Sequence, residues 1–417
     1  MSQITNLSTE ILIRIFEYCP ISDLCKLQRT CKRFYKIIKK ATTLGNVDLI
    51  LITNQLQSSM RNRCLEFFNL QNKYRISQNW RNGVYREFTL SREKRKYIPY
   101  LILRKDGIWL SKANKIHLYK RNKRSTTSST LIEIPNKSDI CKFAVQQNNV
   151  VCGQRDGSIF IWNSKSNHLH LENCHQCDID AIDFVGNIFV TGSKDEFVKL
   201  WSFKLGLQLP YLPISSLSVG DRVWSSRLNT RNSSLAVGTA GYNCVAPIQI
   251  FDLNRLVAVS ELGKNFSRGA GVLGLKWEGP HMLMSCGYDN CVRNWDTRTG
   301  QCVQIWIDPF HSTVYCFETD SCCTLLSGTQ GNGRVVLWDM RSVRHVQMYF
   351  MESCKKSYNS SPIYSLSFDA YQLFTATDRS LNVLNFSVNS GIEKNYIFIY
   401  IPTKLVQLHI LCTTHIG

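Results

Sequence analysis

Residues 284–296 read M-S-C-G-Y-D-N-C-V-R-N-W-D, and this stretch decides the fold of the 417-residue chain. Related versions occupy residues 151–163, 190–202 and 325–339. Each version consists of an apolar segment ending in Gly or Ser, a polar turn, and a second apolar segment that closes on Trp. Such a pattern predicts a β-hairpin, because two apolar runs on either side of a turn are typical of paired strands. A hairpin pattern that occurs four times in the sequence indicates a repeat architecture.

Weaker copies of the hairpin occur in phase with these four. The terminal positions of all copies are Tyr119, Trp162, Trp201, Phe251, Trp295, Trp338 and Leu384. Their separations run from 39 to 50 residues, and the longest predicts an inserted loop near residues 239–246. A period of about 40–45 residues is typical of propeller blades with four strands each.

The Trp-Asp pairs at 295–296 and 338–339, with Phe-Asp at 251–252, resemble the WD-repeat family. The resemblance implies a mainly β fold with a seven-bladed propeller. It also implies a histidine that is hydrogen-bonded inside its blade, here His175 with Thr191 or Ser193, Asp195 and Trp201. By the same register His311 would play this part in a later blade. The remaining structural positions are Asp289, Trp295 and Trp338.

Residues 4–40 follow a helical rather than a strand period. Leu7, Ile11, Leu12, Ile15 and Phe16 form an apolar stripe, which is typical of an amphipathic helix. The S-T-E sequence at 8–10 provides a hydroxyl cap and an acidic first turn. A Cys-Pro pair at 19–20 ends this helix, and Ser-Asp at 22–23 can cap a second one.

This N-terminal stretch resembles an F-box. The resemblance rests on the first apolar helix, Pro20, Asp23-Leu24, and the C-K-R-F sequence at 31–34, with Ser8 where the family usually has Pro. It implies docking on the Skp adaptor of a Skp–cullin–F-box ubiquitin ligase. The expected docking positions are Leu7, Glu10, Ile11, Leu12, Ile15, Phe16, Leu24, Leu27, Cys31 and Phe34. The competing interpretation is a helical cap that packs only on the chain's own propeller.

Four regions follow from these patterns. We expect an F-box domain at 1–44, a helical linker at 45–80, the propeller at 81–387 and a divergent tail at 388–417. The N-W-R-N-G sequence at 79–83 is expected to turn the chain, and 85–90 is the candidate strand that closes the ring. First-blade strands are predicted at 97–104, 107–111, 115–119 and 131–134, with a polar loop at 120–130. The tail contains Y-I-F-I-Y-I at 396–401, a β-prone window that competes for the closing position.

Several segments resemble the dactylin branch of the F-box/WD-repeat family. They are N-W-R-N-G at 79–83, D-R-V-W-S at 221–225, G-A-G-V-L at 269–273 and S-C-G-Y-D at 285–289. The resemblance runs from about residue 4 to about residue 387. It implies an adaptor whose propeller recruits a substrate for ubiquitination and degradation, with no catalytic residue and no cofactor of its own.

The net charge of +19 favours an acidic partner, and the 17 cysteines lie mainly on apolar strands or helices. We expect them to be reduced in a cytoplasmic or nuclear protein, because no signal peptide or apolar span accompanies them. No nucleic-acid-binding motif accompanies the basic charge, so nucleic acid and membrane are not expected partners. An RNA-associated protein would show binding that falls steeply with salt.

Two site hypotheses remain. The Cys174–Cys177 pair with His168, His170 and His175 suggests zinc, but a second Cys/His pair is missing, so no metal is expected. The propeller rim is the expected substrate surface, because aromatic and Arg side chains dominate interface energies. Its predicted members are Arg155, Lys194, Arg222, Trp224, Tyr288, Tyr315 and Tyr364, with Asp178 and Asp180 beside them. Their cations could bind a phosphorylated or acidic degron. The plainer alternatives are ordinary blade-edge residues and a non-ligase scaffold.

Overall fold

A computed structural model describes residues 4–40, 50–52, 55, 58–121, 126–147, 149–163, 168–203, 212–229, 231, 233–351 and 361–389. Seven antiparallel sheets of four strands each form the blades of a β-propeller, and helices precede it. The prediction of a mainly β, seven-bladed propeller behind N-terminal helices is confirmed. The tail window at 396–401 lies outside the described residues.

Among its described residues, the helical part contains a short 3₁₀ turn at Ile4–Asn6 and five helices. They are α1 (Thr9–Glu17), α2 (Ile21–Leu27), α3 (Lys32–Lys40), α4 (Ser58–Arg61) and α5 (Leu70–Asn82).

The strands follow in chain order, and the first of them belongs to the last blade. Blade 7 combines β1 (Arg86–Arg92) with β26 (Ser365–Phe368), β27 (Gln372–Ala376) and β28 (Ser380–Asn385). Blade 1 has β2 (Leu101–Leu103), β3 (Gly107–Lys112), β4 (Lys115–Arg121) and β5 (Thr126–Glu133). Blade 2 has β6 (Ile140–Gln146), β7 (Asn149–Gln154), β8 (Ile159–Asn163) and β9 (Leu169–Leu171).

Blades 3 to 6 repeat this order. Blade 3 has β10 (Ala181–Val185), β11 (Ile188–Gly192), β12 (Phe197–Ser202) and β13 (Ser215–Ser218). Blade 4 has β14 (Val223–Asn229), β15 (Ser234–Thr239), β16 (Ile248–Asp252) and β17 (Val257–Leu262). Blade 5 has β18 (Val272–Trp277), β19 (Met282–Gly287), β20 (Cys291–Asp296) and β21 (Gln301–Ile307). Blade 6 has β22 (Val314–Thr319), β23 (Thr324–Thr329), β24 (Arg334–Asp339) and β25 (His345–Phe350).

The repeated hairpin forms the two middle strands of its blade. In blade 5 the quoted stretch supplies β19 and β20, whose register places Leu283 opposite Trp295. Both side chains are buried between blades, so the apolar alternation of the sequence is the packing surface of the propeller. The inner strand that lines the central channel is the first strand of blades 1 to 6 and β26 in blade 7. The predicted insertion near 239–246 is a loop between β15 and β16.

The three F-box helices enclose a core of their own. Ser8 caps α1 and accepts a hydrogen bond from the amide of Ile11 at 3.4 Å. Phe16 and Phe34 meet edge to face with ring centroids 5.2 Å apart. Helix α2 begins at Ile21 behind Pro20, so Ser22 and Asp23 lie in its first turn instead of capping it. Pro at the helix start explains the difference, because its φ suits that position and its missing amide is not needed there.

Helix α5 joins this helical core to the propeller. Leu70 at its first turn packs on the F-box core, whereas Ile76 and Trp80 are buried in the core of blades 6 and 7. The Trp80 indole stacks on Phe386 with ring centroids 3.6 Å apart and planes 13° apart. The Tyr349 hydroxyl donates to the carbonyl of Trp80 at 2.6 Å. The linker is therefore part of the propeller core.

The helix extends further than the sequence predicts. The expected turn at 79–83 is the last turn of α5, and only Gly83 leaves the helix, with a φ of +68° that suits glycine. Residues 50–69 contain only the short α4 among the described positions of the predicted helical linker. Leu51 and Met60 there are fully buried against blade 6, so contact with the propeller replaces regular helix.

The ring is closed by β1, as expected for residues 85–90. It pairs antiparallel with β28, and Phe88 lies opposite Val383. Pairing with β1 covers the outer edge of β28, which would otherwise lack a partner strand. Arg121 of blade 1 adds a second link, because its guanidinium contacts Asp369 of blade 7 and donates to the carbonyl of Arg63 at 2.8 Å.

The first blade contains more strand than predicted. Strands β4 and β5 extend into the expected polar loop at 120–130, whose residues 122–125 lie outside the described part. The described side chains at 127–130 are exposed, and an outer strand tolerates polar Ser and Thr on its solvent face. Among the described helices, none is long and apolar enough to span a membrane.

We expect Trp80→Ala to lower the free energy of unfolding by about 3–5 kcal/mol, because it leaves a cavity where the linker packs on blades 6 and 7. Denaturant unfolding of the full chain measures the change. Phe67→Ala is the matched control, since Phe67 lies in the same linker but is 67% exposed. A loss no larger for Trp80→Ala than for Phe67→Ala would show that the indole is not a structural anchor.

Candidate partner-binding site

Four of the predicted rim residues form a continuous row of rings. Trp224 lies in β14, Tyr288 follows β19, Tyr315 lies in β22 and Tyr364 directly precedes β26. Ring centroids are 5.4 Å apart for Trp224 and Tyr288, 6.2 Å for Tyr288 and Tyr315, and 5.5 Å for Tyr315 and Tyr364. The row crosses blades 4 to 7 at the end of the channel where the inner strands begin. We call these four residues the aromatic row.

The aromatic row borders a cavity of about 390 Å³ in the channel. Burial and a hydrogen bond with Tyr288 raise the pKa of Tyr315, and burial raises the pKa of Tyr364. Both phenols therefore stay neutral at physiological pH, and their hydroxyls can donate and accept hydrogen bonds. Large rings that also carry a polar atom suit a protein-binding surface.

The predicted cations of the rim differ from the aromatic residues in their availability. Lys194 Nζ lies 2.5 Å from Asp178 and 3.4 Å from Asp180. Burial alone would lower the pKa of Lys194, but the hydrogen bond with Asp178 and the charge of Asp180 raise it. Two carboxylates thus balance this ammonium group, which corrects the expectation that Lys194 is available to bind an anionic degron.

The two arginines are more accessible. Arg155 Nε lies 3.9 Å from Asp139, and both side chains are about half exposed, so solvent weakens the pair. Arg222 is exposed directly before β14, and among the described residues its guanidinium has no ion-pair partner. The structure therefore brings the predicted aromatic residues together and leaves Arg155 and Arg222 as the accessible predicted cations.

Sequence reasoning missed Lys142, which lines the same cavity from β6. Its Nζ lies 5.2 Å from the centroid of the Tyr100 ring. Burial lowers the pKa of Lys142. A lysine inside the otherwise apolar segment I-C-K-F-A-V was the available signal, because β6 is the first strand of its blade and faces the channel.

The expected histidine network is present in blade 3. His175 Nδ1 lies 2.8 Å from Asp195, and Nε2 lies 2.9 Å from the Thr191 hydroxyl. Trp201 Nε1 donates to the same hydroxyl at 2.9 Å. Of the two partners considered, Thr191 fills the role and Ser193 instead donates to the carbonyl of Cys177.

Blades 5 and 6 keep only part of this network. Trp295 donates to Ser285 at 2.8 Å and Trp338 donates to Ser327 at 2.9 Å. Asp289 pairs with Arg293 at 2.6 Å, within its own hairpin.

The expectation for His311 is wrong. Its side chain is exposed, and no ring contact of His311 occurs among the described residues. Blade 6 instead buries a pair between Arg334 and Asp308, with both Asp308 oxygens 2.7 Å from Nη2 of Arg334. That pair supplies the buried polar link that histidine supplies in blade 3.

The residues of the zinc hypothesis do not converge. Both ring nitrogens of His175 are engaged in its blade, and Cys174 is buried whereas Cys177 is exposed. Within the described ranges, the one group with metal-ligand spacing is Cys141, Asp178 and Asp180. Lys194 already sits against both of these carboxylates, so the group functions as an ion-pair cluster.

The ten expected adaptor-binding positions divide into three groups, which are buried, half-buried and exposed. Four of them are buried in the F-box core, which corrects the expectation that they face a partner: Leu12, Phe16, Leu24 and Phe34. Four more are half-buried and pack on that core: Leu7, Ile15, Leu27 and Cys31. Glu10 and Ile11 are exposed, and Ile11 is 49% exposed. Burial separates these groups because Leu12 and Phe16 lie one helical turn apart on the inner side of α1.

Three exposed apolar residues of the helices were not predicted. Ile4 is 50% exposed, Tyr18 is 84% exposed and Tyr35 is 47% exposed. Ile11 and Tyr18 are seven residues apart, which places them on the same side of α1. The helical domain thus completes its core and still presents apolar side chains outward.

Known families match both parts of the chain. The F-box domain model matches residues 4–42, and the WD domain, G-beta repeat model matches residues 167–202. The F-box/WD repeat-containing protein 4 of Homo sapiens is 30% identical over 394 residues, covering 91% of this chain and 92% of the relative. The chain belongs to the F-box/WD repeat-containing protein family.

A second relative agrees with this membership, and a solved structure shares the propeller fold. The F-box/WD repeat-containing protein 4 of Mus musculus is 33% identical over 322 residues, covering 76% of this chain and 77% of the relative. These two relatives confirm the dactylin resemblance. The crystal structure of the WD40 beta propeller domain of Doa1 superposes with a TM-score of 0.56 at 13% identity, covering 72% of this chain and 96% of that chain. That similarity concerns the fold alone.

The blade-3 histidine of this F-box/WD-repeat protein gives a pH-dependent prediction. Burial lowers the pKa of His175, although Asp195 opposes the effect. The unfolded imidazole therefore binds a proton more readily, so the stability from neutral His175 is present above its ordinary pKa of about 6.5. It is lost as the pH falls through that value toward the folded pKa. We expect His175→Gln to cost about 1–3 kcal/mol of unfolding free energy at pH 8, and less at pH 5.5.

Denaturant unfolding at both pH values tests this expectation. His168→Gln serves as the control, because His168 is an exposed histidine of the same segment. A cost of His175→Gln that is equal at the two pH values, or greater at pH 5.5, would contradict the assignment of a neutral buried imidazole.

Proposed function

We propose that the chain is the substrate-recognition subunit of a Skp–cullin–F-box ubiquitin ligase. In this proposal the F-box helices dock on the Skp adaptor, and the cullin and RING subunits join through it. The propeller holds a substrate protein for ubiquitination and proteasomal degradation, in the cytoplasm or nucleus. Family membership supports the proposal, and the observation that carries it is the exposed apolar side of α1 on a helical domain with a finished core.

Side-chain burial in α1 distinguishes its core side from its docking side. Leu12 and Phe16 are fully buried, so the helices do not need Ile11 or Tyr18 to hold together. Leaving two large apolar side chains in water is unfavourable by about 25 cal/mol for each Å² that a partner could cover. A domain of this size gains from such a partner, because it cannot enclose all of its apolar surface.

The linker supports the adaptor role through rigidity. Helix α5 has 13 residues and is therefore about 20 Å long. Its first residue packs on the F-box core and its last turn on the propeller core, so one rigid element fixes the separation of the two. Fixed separation suits a protein that contributes proximity and orientation, while the chemistry occurs on other subunits.

The helical linker and the aromatic row lie at different ends of the propeller channel. The linker approaches where the inner strands end: the amide of Ile52 donates to Thr324 at 2.7 Å, and Arg63 pairs with Glu318 at 3.2 Å. The aromatic row lies where the inner strands begin. A substrate on the aromatic row therefore does not compete with the linker for the same surface.

We expect Ile11→Asp to weaken capture of purified Skp adaptor by at least about 30-fold, because charging an interface anchor typically costs 2 kcal/mol or more. Equilibrium binding of the adaptor to the full chain measures the effect. Val257→Asp is the matched control, since Val257 is similarly exposed, at 48%, but lies on the outer strand of blade 4. Leu12 is unsuitable for this test because its substitution would disturb the F-box core.

Both variants must unfold at the same denaturant concentration as the parent chain. Selective loss in Ile11→Asp would support the ligase proposal. Equal adaptor binding by both variants would place docking elsewhere on the chain, and no adaptor capture by the folded parent chain would favour a non-ligase scaffold.

A further inference from the structure

The charged groups that line the channel cavity are nearly all neutralised within the chain. Lys194 is held between two carboxylates, as described above. Arg227 Nη1 lies 3.0 Å from Asp183, and its Nε donates to the carbonyl of Leu275 at 3.1 Å. Glu318 lies 2.9 Å from Lys276 and 3.2 Å from Arg63. Burial would raise the pKa of Glu318, but those two cations lower it to about 2, so the carboxylate stays charged and paired.

Lys142 is the exception among the lining residues. Within the described ranges, no carboxylate oxygen lies within 4.0 Å of its Nζ. Asp180 and Asp183 attract it only over longer distances. Its close neighbour is the Tyr100 ring, at 5.2 Å. Lys142 is half-buried in the cavity wall. A partly desolvated ammonium group without a carboxylate partner is unfavourable, and an anion placed beside it would supply a charge-assisted hydrogen bond.

The position of Lys142 relates this unpaired charge to partner binding. Lys142 and all four members of the aromatic row line the same cavity. A volume of about 390 Å³ holds one or two side chains and no folded element. A ligand for this cavity therefore combines one anionic group with an adjoining apolar or aromatic group.

We propose that the channel binds an unphosphorylated Asp or Glu side chain from an extended segment of the substrate protein, with the carboxylate on Lys142 and a neighbouring apolar residue on the aromatic row. This inference rests on the substrate-binding half of the proposed function and names the class of recognition signal.

The charge at the site favours a carboxylate over a phosphate. A phosphorylated residue carries about −1.5 to −2 charges and is typically recognised by clusters of arginines. The cavity offers one unpaired ammonium group, and Asp180 also lines it. A monoanion matches the one unpaired cation among the described lining residues, whereas a dianion would remain partly unpaired and would be repelled more strongly by the Asp180 carboxylate.

An array of synthetic nonapeptides tests the inference on the full chain bound to Skp adaptor. Three sets, blocked at both ends, carry Glu, Gln or phosphoserine at the centre, with aromatic, aliphatic or polar flanking residues. A fourth set ends in a free carboxylate at the central position. Fluorescence polarisation of selected peptides gives dissociation constants for the parent chain, Lys142→Met and Lys264→Met. Lys264 is the matched control because it is a solvent-exposed lysine outside the channel.

We expect Glu-centred peptides with an apolar neighbour to bind at least about tenfold more tightly than their Gln counterparts. Lys142→Met should abolish that preference, and Lys264→Met should keep it. Trp224→Ala should weaken Glu and Gln peptides alike, because it removes apolar contact. Preference for phosphoserine, preference for the free carboxyl terminus, or a Glu preference that survives in Lys142→Met would each overturn the proposal.

A measurement of adaptor binding distinguishes failure of the carboxylate-site proposal from failure of the proposed ligase function. Channel variants should capture the Skp adaptor as well as the parent chain, because the F-box helices are untouched. If the folded complex binds the adaptor but no peptide set, the carboxylate site is wrong and the ligase proposal stands. If the parent chain fails to bind the adaptor, the ligase proposal is wrong, and peptide binding by the free chain still decides the role of Lys142.

Discussion

Contact between the two ends of the ring is the constraint on which the rest of the structure depends. A propeller is stable only when its last blade finds a fourth strand, and here β1 supplies it from before the first blade. The stacking of Trp80 on Phe386 brings the linker to the same junction. Ring closure and placement of the F-box are therefore one packing event, because Trp80 in the last turn of α5 also fills the core of blades 6 and 7.

This arrangement fixes the position of the helical domain relative to the propeller. A linker of ordinary loop residues would let the helical domain move relative to the propeller, and the ordering entropy would oppose any fixed geometry. Instead Leu51 and Met60 are fully buried, and Arg63 pairs with Glu318 at the channel. The apolar side of α1 and the aromatic row are thus held in one body at different ends of the protein.

Electrostatics inside the channel explain why residue type alone was a poor guide to the binding surface. Lys194 has the right chemistry for an anion, but Asp178 and Asp180 neutralise it. Lys142 occupies an unremarkable position in an apolar strand, yet among the described residues that line the cavity it is the cation without a carboxylate oxygen within 4.0 Å. The availability of a charge depends on its neighbours from other blades, since pairing distances of a few ångströms decide the interaction energy.

The sequence by itself determined the repeat, the number of blades and the F-box, because periodicity, caps and turn chemistry are local properties of the chain. It left two candidates for the closing strand, and the structure assigns that place to β1. The sequence also identified His175 and Trp201, because the resemblance to WD repeats places both in the hydrogen-bond network of one blade. Only the tertiary structure showed that Leu12 is buried and Ile11 is exposed. It also showed that the His311 ring makes no contact among the described residues, and that Lys142 lines the same cavity as the aromatic row. These outcomes depend on contacts between residues far apart in sequence, and no local pattern records which neighbours the fold will provide.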